Sequence, residues 1–120
     1  MDPEVWGPHA WFFIQAALIH MPEDADPSHY VNFLFSLQYV LPCEKCRSNY
    51  SAWIRNNPIP MTKNEMIRWI VQLQNSIRED NCKPTLSIRE VIEYYTRPRR
   101  NMIVIIVALL ALGIFVLRMK

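Results

Sequence analysis

Between its prolines this chain carries apolar residues at helical spacing, and nowhere do they alternate as in a strand. Only two of its 120 residues are glycine, so the residues that favour tight hairpin turns are scarce as well. Together these features predict an all-α fold. Pro8 suits a first helical position, Trp11 to His20 is almost wholly apolar, and Pro22 ends that run. Asp26-Pro27 opens a second helix with Val31, Phe33, Leu34, Leu37, Val40 and Leu41 turned inward. A third starts at Cys43, carries Tyr50, Trp53 and Ile54, and breaks at Asn57 to Pro60. Thr62 and Glu65 are spaced as a capping box before Met66, Trp69, Ile70, Leu73 and Ile77. Ser87 and Glu90 form a second box, opening a short helix to Tyr95. There is no internal repeat. The expected body is a four-helix bundle with a short fifth helix.

The run from Met102 to Leu117 has no charged residue. It is slightly short of the ~20 residues usual for a span, but Arg118 and Lys120 are placed to snorkel. A helix apolar on every face needs a larger protein around it than this one, so the expectation is a C-terminal transmembrane helix. The boundaries follow: 1–96 folded domain, 97–101 basic juxtamembrane linker, 102–117 anchor, 118–120 basic tail. All eleven carboxylates precede Thr96, against eight of the thirteen Lys and Arg. The folded part is therefore slightly acidic, and Arg97, Arg99, Arg100, Arg118 and Lys120 read as membrane-surface contacts. No basic stripe crosses the domain, which argues against nucleic acid. The start, Met1-Asp-Pro-Glu, lacks the basic front of a signal peptide. These readings place the domain on the cytosolic face of a membrane.

Cys43 and Cys46, in Leu-Pro-Cys-Glu-Lys-Cys, carry the chemistry. Two thiols three residues apart at a helix start close and open a disulfide without refolding the chain. The helix N-terminus favours the thiolate, which is the attacking species. Lys45 and Arg47 add positive charge, and Pro42 stiffens the entry. Zinc is the alternative, but it needs four ligands. Cys82 stands alone, and His9, His20 and His29 show no ligand spacing. A structural disulfide suits so short a loop poorly. A redox-active dithiol is the leading reading, with no metal.

With these landmarks placed, the chain resembles the FAD-linked sulfhydryl oxidases of the Erv/ALR family over about Trp6 to Tyr95. The resemblance rests on Trp6-Gly7 with Trp11 four residues on, and on Pro42 to Cys46 at the start of the third helix. It continues through Trp69, then Gln74-Asn75-Ser76-Ile77-Arg78, then Lys83-Pro84, with Tyr95 eleven residues past that proline. Three family His positions hold the amides Gln15, Asn49 and Gln74, and the family's second Asn is Arg78. The cysteine pair that staples the last helix is replaced by Val71 and Ile88. An amide donates and accepts hydrogen bonds where a neutral His did, but takes up no proton.

The resemblance implies FAD as cofactor. Gly7, Trp11, Gln15, Cys46, Asn49, Trp69, Gln74, Asn75, Ile77, Arg78, Lys83 and Tyr95 would contact it. Trp11, Trp69 and Tyr95 would supply flat walls, and Asn75 and Lys83 would meet its polar portions. It also implies that Cys46 is the flavin-side sulfur and Cys43 the sulfur that exchanges with a dithiol or thioredoxin-like protein. Electrons would pass on to oxygen, giving peroxide, in a homodimer. The chain looks most like the short members of large DNA viruses, which implies late viral disulfide formation and virion assembly, with the virion membrane as a further location. The other function class is a redox-inert assembly protein that kept the fold without FAD. Cys82 reads as an unpaired structural thiol, with a shuttle or an intermolecular bond as its rival role.

Overall fold

In the computed structural model, which describes residues 1–98 and 102–119, six helices follow one another: α1 (Pro3–Ile19), α2 (Pro27–Val40), α3 (Glu44–Asn56), α4 (Lys63–Asp80), α5 (Ile88–Thr96) and α6 (Met102–Arg118). Each of the first five begins where a side chain satisfies a free amide. Asp2 accepts from the Glu4 amide at 2.9 Å, and Asp26 accepts from the Ser28 amide at 2.9 Å. Cys43 caps α3, and Thr62 caps α4 by accepting from the Glu65 amide. Ser87 and Glu90 close a reciprocal box on α5, both bonds at 3.1 Å.

α1 starts five residues before the expected Pro8. Asp2, Pro3 and Glu4 supply a cap, a first-position proline and an acidic first turn. Pro8 lies inside the helix, where its missing N–H omits one backbone bond.

α2 packs on α3, α1 packs on α4, and α5 lies against both α1 and α4. Leu18, Leu34, Met66, Ile70 and Val71 are the fully buried centre of the core. Two residues expected inside face out: Val40 and Ile77 are exposed. Both lie past the last buried residue of their stripes, Leu37 and Leu73. Periodicity gives the side of a helix, not how far its neighbour reaches along it.

The transmembrane expectation is corrected. Among the described residues no helix is long and apolar enough to cross a membrane. α6 has 17 residues, and at 1.5 Å per residue it spans about 25 Å, short of a hydrocarbon core of about 30 Å. The 102–117 anchor is not supported, and the topology built on it loses its footing. Residues 104–119 of this segment are exposed. Of the basic flank, Arg99, Arg100 and Lys120 lie outside the described residues.

Candidate active site

Cys43 and Cys46 form a disulfide with their Cα atoms 5.1 Å apart, both half-buried. Cys43 is the N-cap of α3, and its Sγ accepts from the Cys46 amide at 3.2 Å. The sulfur therefore lies against the free amides of a helix start, where a thiolate is stabilised. The approach to the cap is also held. Arg47 donates from its guanidinium to the Leu41 carbonyl, its amide donates to the Cys43 carbonyl at 2.9 Å, and the Met1 amino group donates to the Pro42 carbonyl at 3.1 Å. The sequence showed Arg47 only as a charge; its bond to Leu41 needed the observed turn. Behind the cap, Tyr50 donates to the Leu34 carbonyl at 2.6 Å and ties α3 to α2. Burial pushes the Tyr50 hydroxyl well above the usual tyrosine value.

A second cluster joins three helices. Gln15 on α1, 3% exposed, donates to Gln74 Oε1 on α4 at 2.6 Å. The Tyr95 hydroxyl on α5 donates to Gln15 Oε1 at 2.9 Å. Burial, then the neighbouring Tyr94, raises the Tyr95 hydroxyl, so it stays a donor. The ring of Phe12 lies 5.6 Å from that of Tyr95, and Trp11 is half-buried on the same helix. His20, the C-cap of α1, meets the Tyr95 carbonyl at 3.0 Å.

The third cluster is the end of α4. Cys82 takes φ 55°, the left-handed conformation that usually falls to glycine. Its amide donates to the Glu79 carbonyl at 3.0 Å, and the Lys83 amide to the Arg78 carbonyl at 2.8 Å, the two bonds of a Schellman turn. Asn75 grips the backbone of Leu86 from both sides, donating to its carbonyl and accepting from its amide, each at 2.8 Å. Arg78 donates to the Pro84 carbonyl at 2.6 Å. Asn75 and Arg78 thus shape the loop that presents the exposed Lys83.

The other expected contacts are scattered. Trp69 is a core residue, 5% exposed, its ring 5.0 Å from that of Trp53 and its indole N–H donated to the Asn57 carbonyl at 2.9 Å. Asn49 and Ile77 are exposed. Gly7 is half-buried, with open space where a Cβ would stand. Cys82 is an exposed free thiol. Among the described residues no hydrogen bond links the cystine to the Gln15 layer.

Helices alone around a Cys-x-x-Cys disulfide at a helix cap define an all-α thiol–disulfide redox protein. The model of the Erv1 / Alr family matches residues 8–96. A probable FAD-linked sulfhydryl oxidase of Acanthamoeba polyphaga mimivirus is 31% identical over 100 residues, which is 78% of this chain and 70% of the relative. The chain belongs to the Erv1/Alr family. Its fold is that of Erv1 from Saccharomyces cerevisiae. A mutant of that protein matches with a TM-score of 0.72 at 19% identity, covering 80% of this chain and 85% of the other. The FAD binding domain of Erv1 matches at 0.71 and 21% identity, covering 79% and 94%.

Proposed function

We propose that this chain is an FAD-linked sulfhydryl oxidase that forms disulfides in other proteins. The observation that carries the reading is the Cys43–Cys46 disulfide, capped on α3 in a family whose mimivirus relative bears that name.

A client thiolate attacks Cys43 Sγ, the Cys43–Cys46 bond breaks, and Cys46 leaves as a thiolate on the first turn of α3. The client's second thiolate then attacks its own sulfur in the mixed disulfide and frees Cys43. The client is oxidised by two electrons and the Cys43–Cys46 pair is reduced by two.

The residues present fit a flavin. Among the described residues the Gln74 amide N–H groups have no partner, so the Gln15–Gln74–Tyr95 layer keeps donors for a ring edge. Trp11 and Tyr95 would supply flat walls, and the exposed Lys83 a cation for a diphosphate. Trp69 acts from behind, fixing α4 through its bond to Asn57. A bound FAD would supply a two-electron sink for the reduced pair, with oxygen as the acceptor beyond it and peroxide as the product. Cys46, as the leaving thiolate, would be the flavin-side sulfur.

The test is the visible spectrum and oxygen uptake of the purified full chain. The expected result is a yellow protein, reduced by dithiothreitol and turning over in air. A colourless protein that takes up no added FAD would sink the reading and leave a family member that kept the fold alone.

A further inference from the structure

Between α2 and α3 runs a groove of about 370 Å³ that the chemistry above does not use. Val31, Phe35 and Tyr39 form its α2 wall, and Ser51, Ile54 and Arg55 its α3 wall. Phe35 is 49% and Tyr39 68% exposed, with ring centroids 6.0 Å apart.

Its position ties it to the exchange sulfur. Cys43, Arg47, Ser51 and Arg55 follow one another at four-residue steps, so they lie along one slanting ridge of α3 that begins at the disulfide. The ridge is fixed to α2 at two points: Arg47 bonds the Leu41 carbonyl, and the Ser51 hydroxyl donates to Gln38 Oε1 at 3.1 Å. Any protein whose cysteine reaches Cys43 must lay its neighbouring residues along some path from that sulfur, and this ridge with its aromatic wall is a continuous one. Arg55 is the one charged side chain among the described residues lining the groove.

We propose that this groove docks the client, and that its occupant is an extended segment carrying an apolar residue and then an acidic one about four and five residues from the attacking cysteine. The inference rests on the oxidase reading for its purpose. The spacing follows from the geometry. Arg55 lies twelve residues beyond Cys43, about 18 Å along the helix. An extended chain covers that in about five residues, so the carboxylate sits about five residues from the client cysteine. The apolar side chain, one residue nearer, points to the other side of the extended segment and meets Phe35 on the α2 wall.

The test reads docking without flavin. In a full-length Cys46→Ala, Cys82→Ser chain, Cys43 is the sole thiol. Single-cysteine peptides are supplied as mixed disulfides with thionitrobenzoate. The Cys43 thiolate attacks the peptide sulfur, a protein–peptide disulfide forms, and the coloured thionitrobenzoate anion leaves. One peptide carries Leu and Glu at the fourth and fifth positions from its cysteine, the other Ser and Lys. The Leu–Glu peptide is expected to react about tenfold faster, as burial of one apolar side chain allows. Phe35→Ala should remove most of that preference. Arg55→Glu should slow the Leu–Glu peptide and speed the Ser–Lys peptide, each about threefold. Free dithionitrobenzoate should react equally with all variants. Equal peptide rates, or a preference both substitutions leave intact, overturn the proposal. So does a fall in oligomeric mass in Phe35→Ala, which would mean that a second copy covers the groove. Because no step needs FAD, failure here and failure of the oxidase reading are read separately.

Discussion

The cystine cap and the Gln15 layer divide the work of this molecule in opposite ways. At the cap the functional atoms are three residues apart, half-buried, and held by bonds within one turn and its lead-in. In the layer the partners are 59 and 80 residues apart, and the central side chain is almost wholly buried. The cap must change its covalent state in every cycle, so it is built where reduction disturbs little beyond a single turn. The layer changes nothing in a cycle, so it is built from bonds that break only if helices part. Reactivity sits on local structure here, and permanence on long-range structure.

The largest effect should come from the cap. Cys43→Ala and Cys46→Ala should each bring dithiol turnover to background while leaving the fold intact. They should differ in one product: given the client in its disulfide form, the lone Cys43 thiolate of Cys46→Ala attacks it, releases the client's other thiolate and shows a mixed disulfide on a non-reducing gel, and Cys43→Ala does not. If either loss also unfolded the chain, the cap would be structural and the contrast false.

The layer should show the reverse. Gln15→Leu keeps the volume but strips partners from Gln74 and Tyr95, at a cost of about 2–3 kcal/mol. The urea midpoint should fall with unchanged slope. A shift under 0.5 kcal/mol, on the order of experimental scatter, would show that the layer is not the tie between helices described here.

Tyr50→Phe tests the support behind the cap and should cost about 1 kcal/mol through the lost bond to Leu34. The sign with pH follows from burial, which raises the folded-state value. The wild-type contribution is full below the ordinary tyrosine value and is lost as pH rises through the folded one. Unfolding curves of the variant should therefore be flatter on the alkaline side. Smallest is Cys82→Gly, which relieves a left-handed Cβ and should stabilise by about 0.5–1 kcal/mol with no change in turnover. Lost activity there would move Cys82 from the turn into the chemistry.

Legibility followed the same division. The helix starts at Cys43 and at Asp26-Pro27, the Ser87–Glu90 box and the break at Asn57 to Pro60 were all readable, because each signal lies within a few residues of its effect. What composition could not give was who meets whom. Gln15 and Gln74 were marked by resemblance as cofactor contacts, and nothing local shows that they bond each other or that Tyr95 completes the set. Asn75 was unfavourable in mid-helix, a true signal, but its partner Leu86 is set by the loop. α6 misled because a run of apolar residues reports hydrophobicity well and helix length only approximately.

The reach of Tyr95 back to Gln15 also fixes an order of events while the chain is being made. The cystine motif is complete once residue 46 has appeared, whereas the layer must wait for residue 95. At 5–20 residues per second, about 2.5–10 s separate the completion of the motif at Cys46 from the appearance of Tyr95. During that interval the nascent chain carries a reactive pair of thiols while the Gln15 layer is still open. The thiol pair is thus capped by its own turn before the helices that the layer ties together have all been made.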